Sequence, residues 1–245
     1  MNYLILFFFS IFLISCSGNY NWGWYIIDPT LEKGQNNLEF LISGLGITLS
    51  ISLLSIFFSL IIGFLISIPG LSKNKFFIYS NRIYIEFFRS IPLLVLILWV
   101  YYGLPVIFGI SLSAFFAGII SLSLSDSAFE AEIFRAGLQS IGIGQKDAAK
   151  SLGLNKYQEM RLIIFPQAIR VILPAIGNQF VYVLKMSSLV SIIGLADLTR
   201  KANELVVTEY RPLEIYTFLV LEYFVLILII SYFIRKLEKK LKINS

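Results

Sequence analysis

The residues Asp147-Ala148-Ala149-Lys150-Ser151-Leu152-Gly153 lie inside a charged insert, 139–166, which separates two long apolar parts of the chain. The insert ends with Ile163-Ile164-Phe165-Pro166, and this proline stands thirteen residues after Gly153. Alanine, lysine and leucine favour helix, and a glycine just past the last turn allows a left-handed backbone. We therefore predict a short helix that ends at Gly153. Asp147 is predicted near its amino-terminal end, where the helix dipole favours a carboxylate.

The composition is that of a membrane protein. Of the 245 residues, 57% are hydrophobic and 14% are charged, whereas a soluble domain carries about 25% charged residues. The chain has no histidine and one cysteine, Cys16, which excludes a histidine base, a Cys/His zinc site and an internal disulfide. We interpret the excess of basic residues, 20 Lys and Arg against 15 Asp and Glu, as a topology signal rather than as a nucleic-acid-binding surface.

Five apolar segments are long enough to cross a bilayer, whose core needs about 20 helical residues. They lie within 38–68 and at about 84–108, 112–131, 169–195 and 215–234. The first segment ends at Pro69-Gly70, which is a turn signal. Small residues such as Gly63 and Gly118 recur in the first and third segments and allow close helix packing in lipid. The sequence therefore predicts an all-α integral membrane protein with about five core transmembrane helices.

The distribution of lysine and arginine predicts the orientation. Most of these residues fall on the side of the membrane that holds the insert and the tail 237–245. The opposite side keeps only Lys33, Arg200, Lys201 and Arg211. Because basic loops stay in the cytoplasm, we predict that the insert and the carboxyl terminus are cytoplasmic and that the mature amino-terminal region faces outward.

The amino-terminal segment 1–16 leaves three alternatives open. An apolar run at 4–14 is too short to span comfortably, and it is followed by Ser15-Cys16. Leu13-Ile14-Ser15-Cys16 is similar to a lipoprotein cleavage box, which would place a lipid on Cys16, but no lysine or arginine precedes the apolar run. A cleaved signal, an uncleaved interfacial segment and a mis-assigned start remain equal alternatives.

The insert resembles the cytoplasmic loop of ABC importer permeases, whose pattern is Glu-Ala-Ala-x3-Gly-x9-Ile-x-Leu-Pro. Here Asp147 replaces the glutamate and Phe165 replaces the leucine, while every other anchor is in register. From 21 to about 236 the chain resembles permease subunits of polar amino-acid (His/Glu/Gln/Arg/opine) importers. The stretches that carry this resemblance include Glu86-Phe87-Phe88-Arg89-Ser90-Ile91-Pro92, Ala131-Glu132-Ile133-Phe134-Arg135-Ala136-Gly137 and Leu184-Lys185-Met186-Ser187-Ser188-Leu189. Asn21-Trp22-Gly23-Trp24 is most similar to glutamate/aspartate permeases, although a tryptophan pair at a membrane edge is also an ordinary interfacial anchor.

The resemblance implies a multi-pass subunit of the bacterial inner membrane that works by alternating access. We expect a periplasmic lead at 17–37, a transmembrane permease domain at 38–236 and a cytoplasmic tail at 237–245. The implied partners are an ATP-binding cassette ATPase dimer, a periplasmic amino-acid-binding protein and a second permease subunit of the same or similar sequence; no cofactor is implied. The implied ATPase-coupling residues are Asp147, Ala148, Ala149, Ser151, Leu152, Gly153 and Pro166. Pro166 and Pro174 are expected to act as stiff entrance and hinge points of the fourth segment.

Ionisable residues within the apolar segments are candidates for the substrate path, because charge is costly in a membrane. Lys185 lies in the outer half of the fourth segment, Glu222 in the outer half of the fifth, and Asp126 toward the inner half of the third. We predict that Lys185 contacts the substrate carboxylate, with Ser187 and Ser188 as hydroxyl donors. A Lys185–Glu222 ion pair that only fixes the packing is an equal alternative. Asp126 is interpreted as a contact between helices or a pathway residue rather than a ligand.

Two other classes of protein compete with this interpretation. A stand-alone secondary transporter or channel would need its own coupling or selectivity device, and a membrane enzyme would need clustered catalytic groups. The sequence contains no Gly-x4-Gly-Lys-Ser/Thr loop, so ATP hydrolysis is expected from a partner subunit and not from this chain.

Overall fold

The computed structural model of the protein describes residues 20–72 and 74–241, and these form helices and no strand. The alternatives for 1–16, including a lipid on Cys16, fall outside these residues. After a 3₁₀ turn at Trp24–Ile27, the described residues form nine helices: α1 (Glu32–Ile42), α2 (Leu45–Gly70), α3 (Lys75–Ser90), α4 (Leu93–Phe108), α5 (Ala114–Gln139), α6 (Ile143–Ser151), α7 (Lys156–Ile193), α8 (Leu198–Glu209) and α9 (Pro212–Leu241). Two of them contain π turns, α4 at Trp99–Gly103 and α7 at Glu159–Ile164.

Four stretches of the described chain are long and apolar enough to cross a membrane: α1 with α2, α5, α7 and α9. Helices α3 and α4 provide a fifth span only if they are taken together. The prediction of an all-helical membrane protein with about five core spans is confirmed at this level.

The second predicted span, 84–108, is not one straight helix. Helix α3 ends at Ser90, α4 begins at Leu93, and the two axes differ by 94°. Pro92 has no N–H to continue the hydrogen bonding of α3, and it forces the preceding Ile91 into an extended conformation with ψ 123°. Hydropathy alone does not predict this bend, because the residues before and after it are both apolar.

The other helices keep the predicted order but have different ends. Helix α2 ends at Gly70, as the Pro69-Gly70 signal predicts. Helix α5 continues past the predicted end at 131 to Gln139, α7 begins at Lys156 rather than near 169, and α9 extends the fifth span at both ends. The sequence analysis missed α8, a short polar helix between the last two spans.

Helices α2 and α5 form the centre of the fold and run parallel to each other. Their contacts keep register, because Ser123 Oγ donates to the Ser55 carbonyl at 3.1 Å and Ser59 Oγ donates to Asp126. Gly63 allows the closest approach, since a Cβ there would lie 2.5 Å from the Cβ of Glu130. Small and hydroxyl side chains therefore bring the two backbones together, as is common for helices packed in lipid.

The end of the fold that is predicted to face outward joins the first described residues to α9. Glu214, which is fully buried, accepts hydrogen bonds from Tyr20 Oη and from the Gly23 N–H, both at 2.5 Å. Arg211 Nη1 donates to the Asn21 carbonyl at 2.5 Å. An apolar cluster of Ile26, Leu41, Ala202, Leu205 and Ile215 lies beside these contacts. We call the contacts of Tyr20, Asn21 and Gly23 with Arg211 and Glu214 the outer clasp.

Candidate functional site

The insert contains the predicted short helix, α6, and it ends as predicted. Ser151 is its last helical residue, and Gly153 follows the cap residue Leu152 with a left-handed backbone, φ +73°. The Gly153 N–H donates to the Lys150 carbonyl at 2.9 Å, and the Leu154 N–H donates to the Ala149 carbonyl at 3.1 Å. These two bonds form a Schellman motif, which satisfies the last carbonyls of the helix.

The predicted start of this helix is wrong. Helix α6 begins at Ile143, so Asp147 is the fifth of its nine residues and not near its amino-terminal end. The helix dipole acts within the first turn and therefore does not hold this carboxylate. Asp147 instead forms an exposed pair with Lys150, with 3.2 Å between Oδ1 and Nζ. Glycine is a poor helix former, so Gly144 weakens the sequence signal of the first turn.

Helix α6 lies against the start of α7 and keeps one side free. Ala149 is 1% exposed, whereas Ile143 and Leu152 are each 75% exposed. Gln167 Nε2 donates to Gln145 Oε1 at 3.3 Å, which joins the two helices directly. The small Ala149 thus faces the protein, while Ile143, Asp147 and Ser151, spaced i, i+4 and i+8, lie exposed on the far side of the helix.

Pro166 does not mark the entrance to the fourth span. The helix runs from Lys156 through a π turn at Glu159–Ile164 and includes Pro166 in its interior. The helix begins upstream because Asn155 caps it: Asn155 Oδ1 accepts from the Gln158 N–H and Gln158 Oε1 accepts from the Asn155 N–H, each at 3.0 Å. Helix α6 is therefore followed by an unbroken helix rather than by a loop and then a helix.

A buried polar cluster connects α7 to the central pair of helices. Asp126 on α5 is 3% exposed and accepts hydrogen bonds from Ser59 of α2 and from Gln179 Nε2 of α7, the latter at 2.5 Å. One carboxylate thus joins three helices, in agreement with its interpretation as a contact between helices. Glu130 lies one turn further along α5, fully buried, and neither of its carboxylate oxygens has a hydrogen-bond partner among the described residues.

The outer candidates are not brought together as an ion pair. Lys185 is exposed near the end of the α-helical part of α7, and it has no carboxylate within 4 Å among the described residues. The carboxylate oxygens of Glu222 are buried without a hydrogen-bond partner in an apolar groove of about 350 Å³ between α9, α8 and the α1–α2 junction. Ser187 is fully buried and donates to the Leu184 carbonyl at 2.8 Å. Ser188 Oγ donates to the Lys185 carbonyl at 2.8 Å, which places it next to Lys185.

The profile of one protein family covers most of this chain. It is described as the binding-protein-dependent transport system inner membrane component, and it matches residues 55–243. The chain belongs to this family.

Two relatives of this chain are named as amino-acid transport permeases. The chain is 37% identical over 208 residues to the arginine transport system permease protein ArtQ of Bacillus subtilis (strain 168), covering 85% of this chain and 95% of that protein. It is 32% identical over 207 residues to the glutamine transport system permease protein GlnP of Escherichia coli (strain K12), covering 84% of this chain and 94% of that protein.

Solved structures confirm the fold of the permease. A crystal structure of an amino acid ABC transporter with histidines contains a chain that is 40% identical, with a TM-score of 0.79, over 84% of this chain and 96% of that chain. A methionine ABC transporter, MetNI, in an inward facing conformation matches with a TM-score of 0.74 at 21% identity, over 85% of this chain and 99% of that chain. The second likeness shows the fold alone. The fold is that of a type I ABC importer permease.

The permease has buried polar residues that the sequence analysis did not single out. Glu130 and Ser59 are fully buried near the centre, where the half-buried Gln179 joins them, and Asp197 and Glu214 are fully buried at the other end of the fold. Serines at Ser52, Ser55 and Ser59 on α2 are spaced for one helix face, which indicates a polar helix contact. Nothing in one sequence shows which helix that face meets, so the partner residues were missed.

Proposed function

We propose that this chain is the membrane-spanning permease subunit of an ABC importer for polar amino acids. The relatives named for arginine and glutamine transport, at 37% and 32% identity over most of their lengths, carry this proposal. Glutamate and aspartate stay within the proposed class, because the Asn21-Trp22-Gly23-Trp24 stretch resembles permeases for those substrates.

The proposed partners follow from the family and from the exposed side of α6. A pair of ATP-binding cassette subunits would bind at α6, where Ile143 and Leu152 are exposed and Asp147, Ala148 and Ser151 line the free surface. A binding protein would deliver the amino acid on the opposite side of the membrane, and a second permease subunit of identical or similar sequence would complete the path. This arrangement places the carboxyl terminus in the cytoplasm and the outer clasp outside.

The proposed mechanism is alternating access driven by the partner ATPase. ATP binding closes the motor dimer and brings the two α6 helices together. Because Gln145 of α6 is bonded to Gln167 of α7, and α7 is continuous from Lys156 to Ile193, this displacement is passed along α7 into the membrane. Gln179 then carries it to Asp126 and the α2–α5 pair.

Lys185 is the proposed contact for the substrate carboxylate. Its ammonium is exposed and unpaired among the described residues, so it is available to an anionic group, and Ser188 lies beside it. Ser187 is a weaker candidate than the sequence suggests, because its hydroxyl is buried and bonded to its own helix. Asp126 and Glu222 are proposed to line the substrate path only because they lie deep within the membrane spans.

Reconstitution tests the function. The chain is placed in proteoliposomes with its ATPase and binding protein, and ATP-driven uptake of labelled glutamine is measured with arginine, histidine, glutamate or leucine as competitors. We expect ATP-dependent uptake that a polar amino acid reduces and leucine does not. Uptake by the chain alone, driven by an ion gradient without ATPase, would favour a secondary transporter and overturn the proposal.

The role of Lys185 is tested in the same vesicles with Lys185→Met. We expect uptake to fall at least tenfold, which corresponds to about 1.4 kcal/mol, while ATPase binding is unchanged. Lys236→Met is the matched control because it removes an exposed lysine from the far end of α9. Normal uptake by Lys185→Met would exclude the carboxylate contact without affecting the assignment to ABC importers.

A further inference from the structure

The beginning of α3 is only slightly covered by the other described residues. Residues 74–80 are all exposed, and the large side chains of Phe76 and Tyr79 are 72% and 66% exposed. Only the later part of the helix packs on the protein, through Asn81, whose Nδ2 donates to the Ile66 carbonyl at 2.5 Å, and through buried Ile85. The first two turns of α3 therefore present a surface to something outside the chain.

One side of these turns is a cationic groove. Lys75, Ile78, Tyr79 and Arg82 are spaced i, i+3, i+4 and i+7, so they lie on one helix face. With Phe76 they line a shallow groove of about 440 Å³. Arg82 has one acidic neighbour, Glu86, at 3.9 Å, and both side chains are about 70% exposed. Lys75 has no carboxylate within 4 Å among the described residues.

The spacing of the two cations suits one phosphate group. Seven residues of helix separate their backbones by about 10 Å, and long flexible side chains can converge from both ends toward the middle of the groove. Tyr79 stands at that middle and brings a hydroxyl donor. A phosphate held there would receive charge-assisted hydrogen bonds from the ammonium and the guanidinium.

The neighbouring face of α3 is apolar, and this identifies the kind of molecule that carries the phosphate. Phe76, Ile83 and Phe87 are 72%, 51% and 57% exposed, and their spacing of i, i+7 and i+11 places them on one stripe beside the groove. The stripe continues toward the part of α3 that packs on α2 and α5. A ligand with an anionic head and apolar tails satisfies both surfaces, whereas free phosphate satisfies only the groove. Basic and aromatic residues at the end of a span are the usual surroundings of an anionic lipid headgroup.

We propose that the Lys75–Arg82 groove of α3 binds the phosphate of an anionic phospholipid, whose acyl chains pack along Phe76, Ile83 and Phe87. The lipid proposal rests on the proposed function in one respect, namely that the proposed function puts this site in the cytoplasmic leaflet. The site lies on the same side of the membrane as α6. Helices α2 and α5 run parallel, α2 ends at Gly70 just before α3, and α5 ends at Gln139 just before α6. A bound lipid would hold the start of α3 at the membrane surface, beside the 94° bend into α4.

The full-length chain in nanodiscs tests the proposal without any transport measurement. Nanodiscs are made from phosphatidylcholine with a small fraction of phosphatidylglycerol, and the phosphatidylglycerol retained after mild extraction is counted by native mass spectrometry. We expect the double variant Lys75→Gln and Arg82→Gln to lower retention about tenfold, since each cation near the surface attracts anionic lipid. The matched control removes Lys236 and Lys239, two exposed cations from the same side of the membrane.

Each outcome decides the proposal. A selective loss in the α3 variant supports a defined lipid site, whereas equal losses in both variants mean a diffuse charge effect and overturn it. If millimolar inorganic phosphate abolished the retention of phosphatidylglycerol, the groove would be a free-anion site instead. Phe76→Ser provides a second variant, which keeps both cations and is expected to lower the amount of retained lipid. Failure of ATP-driven uptake would leave these lipid counts unchanged, so the two proposals fail independently.

Discussion

At the scale of single residues, Gly153 ends helix α6 through its backbone conformation alone. Its φ of +73° ends α6, and a Cβ placed there would meet nothing within 4 Å among the residues that the structure describes. A side chain at this position therefore costs about 1 kcal/mol through the left-handed backbone, and any further effect must come from a partner. The sequence predicts this residue because the requirement is local.

We predict a graded series at Gly153. Gly153→Asn should remain close to normal, because asparagine tolerates the left-handed conformation, and Gly153→Ala should lower ATP-driven uptake modestly. Gly153→Asp should uncouple the permease, because it adds a charge that is desolvated at the proposed ATPase surface. The measurement is uptake together with ATPase co-purification at matched expression. Normal uptake by Gly153→Asp would show that this end of α6 does not meet the ATPase.

Asp197 is a buried carboxylate with a structural task that the sequence does not reveal. It caps α8 by accepting from the Arg200 N–H at 2.8 Å, and its backbone lies against Gly44 at the start of α2. Burial raises the pKa of Asp197 from 3.8 to about 6. The sequence shows an ordinary helix cap here, but its burial depends on α2, which is about 150 residues away.

We predict that Asp197 makes stability depend on pH. Because its pKa in the folded state lies above the unfolded value, its contribution is complete below about pH 4 and is lost as pH rises through about 6. Asp197→Asn keeps the cap and removes this loss, so its advantage in thermal stability over the natural chain should grow between these pH values. Asp197→Ala should cost about 1 kcal/mol below about pH 4, because the cap is absent, and this cost should shrink as pH rises, because the variant also lacks the titrating carboxyl. If the melting temperatures of the Asp197→Asn variant and the natural chain changed in parallel with pH, this assignment would be contradicted.

At the scale of helices, the contact between α7 and the α2–α5 pair depends on Gln179. Asp126 faces Gln179 in the membrane interior, where an unsatisfied polar group has no water to replace its partner. Each of the three helices involved was predicted from hydropathy, and Asp126 was singled out by its charge. Gln179 was missed because a neutral amide in an apolar segment gives a weak signal until its partner is known.

We predict that Gln179→Leu destabilises the detergent-solubilised protein by about 1–3 kcal/mol, because Asp126 then keeps one of its two donors. Asn178→Leu is the matched control, since Asn178 is exposed and, among the described residues, its side chain donates to the Pro174 carbonyl of its own helix alone, at 3.2 Å. Thermal unfolding followed by circular dichroism gives the difference. Equal stability of both variants would mean that the Asp126–Gln179 bond contributes nothing net.

The bend between α3 and α4 shows the limit of a hydropathy prediction. The segment 84–108 has the length and composition of one span, yet Ile91-Pro92 divides it into two helices at 94°. A proline can either kink a transmembrane helix or end it, and neighbouring helices determine the outcome. The packing of α4 against Ile51, Ala117 and Val190 is a tertiary contact that no local pattern contains.

At the scale of the whole molecule, the outer clasp connects residues that are far apart in sequence. Tyr20 and Gly23 bond to Glu214 across more than 190 residues, while hydrophobic patterns predict only the general organisation of the spans. The Trp22 and Trp24 rings stack at 5.3 Å beside the clasp. The sequence allows two interpretations of these tryptophans, a motif shared with permeases of one substrate class or an interfacial anchor. In the structure they lie next to the outer clasp.

We predict that Glu214→Leu loosens the clasp, because the Gly23 N–H and the Tyr20 hydroxyl lose their acceptor. The melting temperature should fall by several degrees, and the fluorescence of Trp22 and Trp24 should change before global unfolding. Tyr20→Phe combined with Glu214→Leu should cost less than the sum of the single changes, because the two residues share one contact. Full additivity in this double-mutant cycle would show that the bond is not formed in the membrane.

The outer clasp also sets an order of events during biosynthesis. A ribosome completes the first spans long before Glu214 has been made, so Tyr20 and Gly23 emerge without the acceptor that they bond in the finished protein. The junction closes only after the last span, α9, has been inserted. A chain released before α9 has been made therefore lacks the acceptor of Tyr20 and Gly23 altogether. The clasp is therefore a marker of completed membrane insertion.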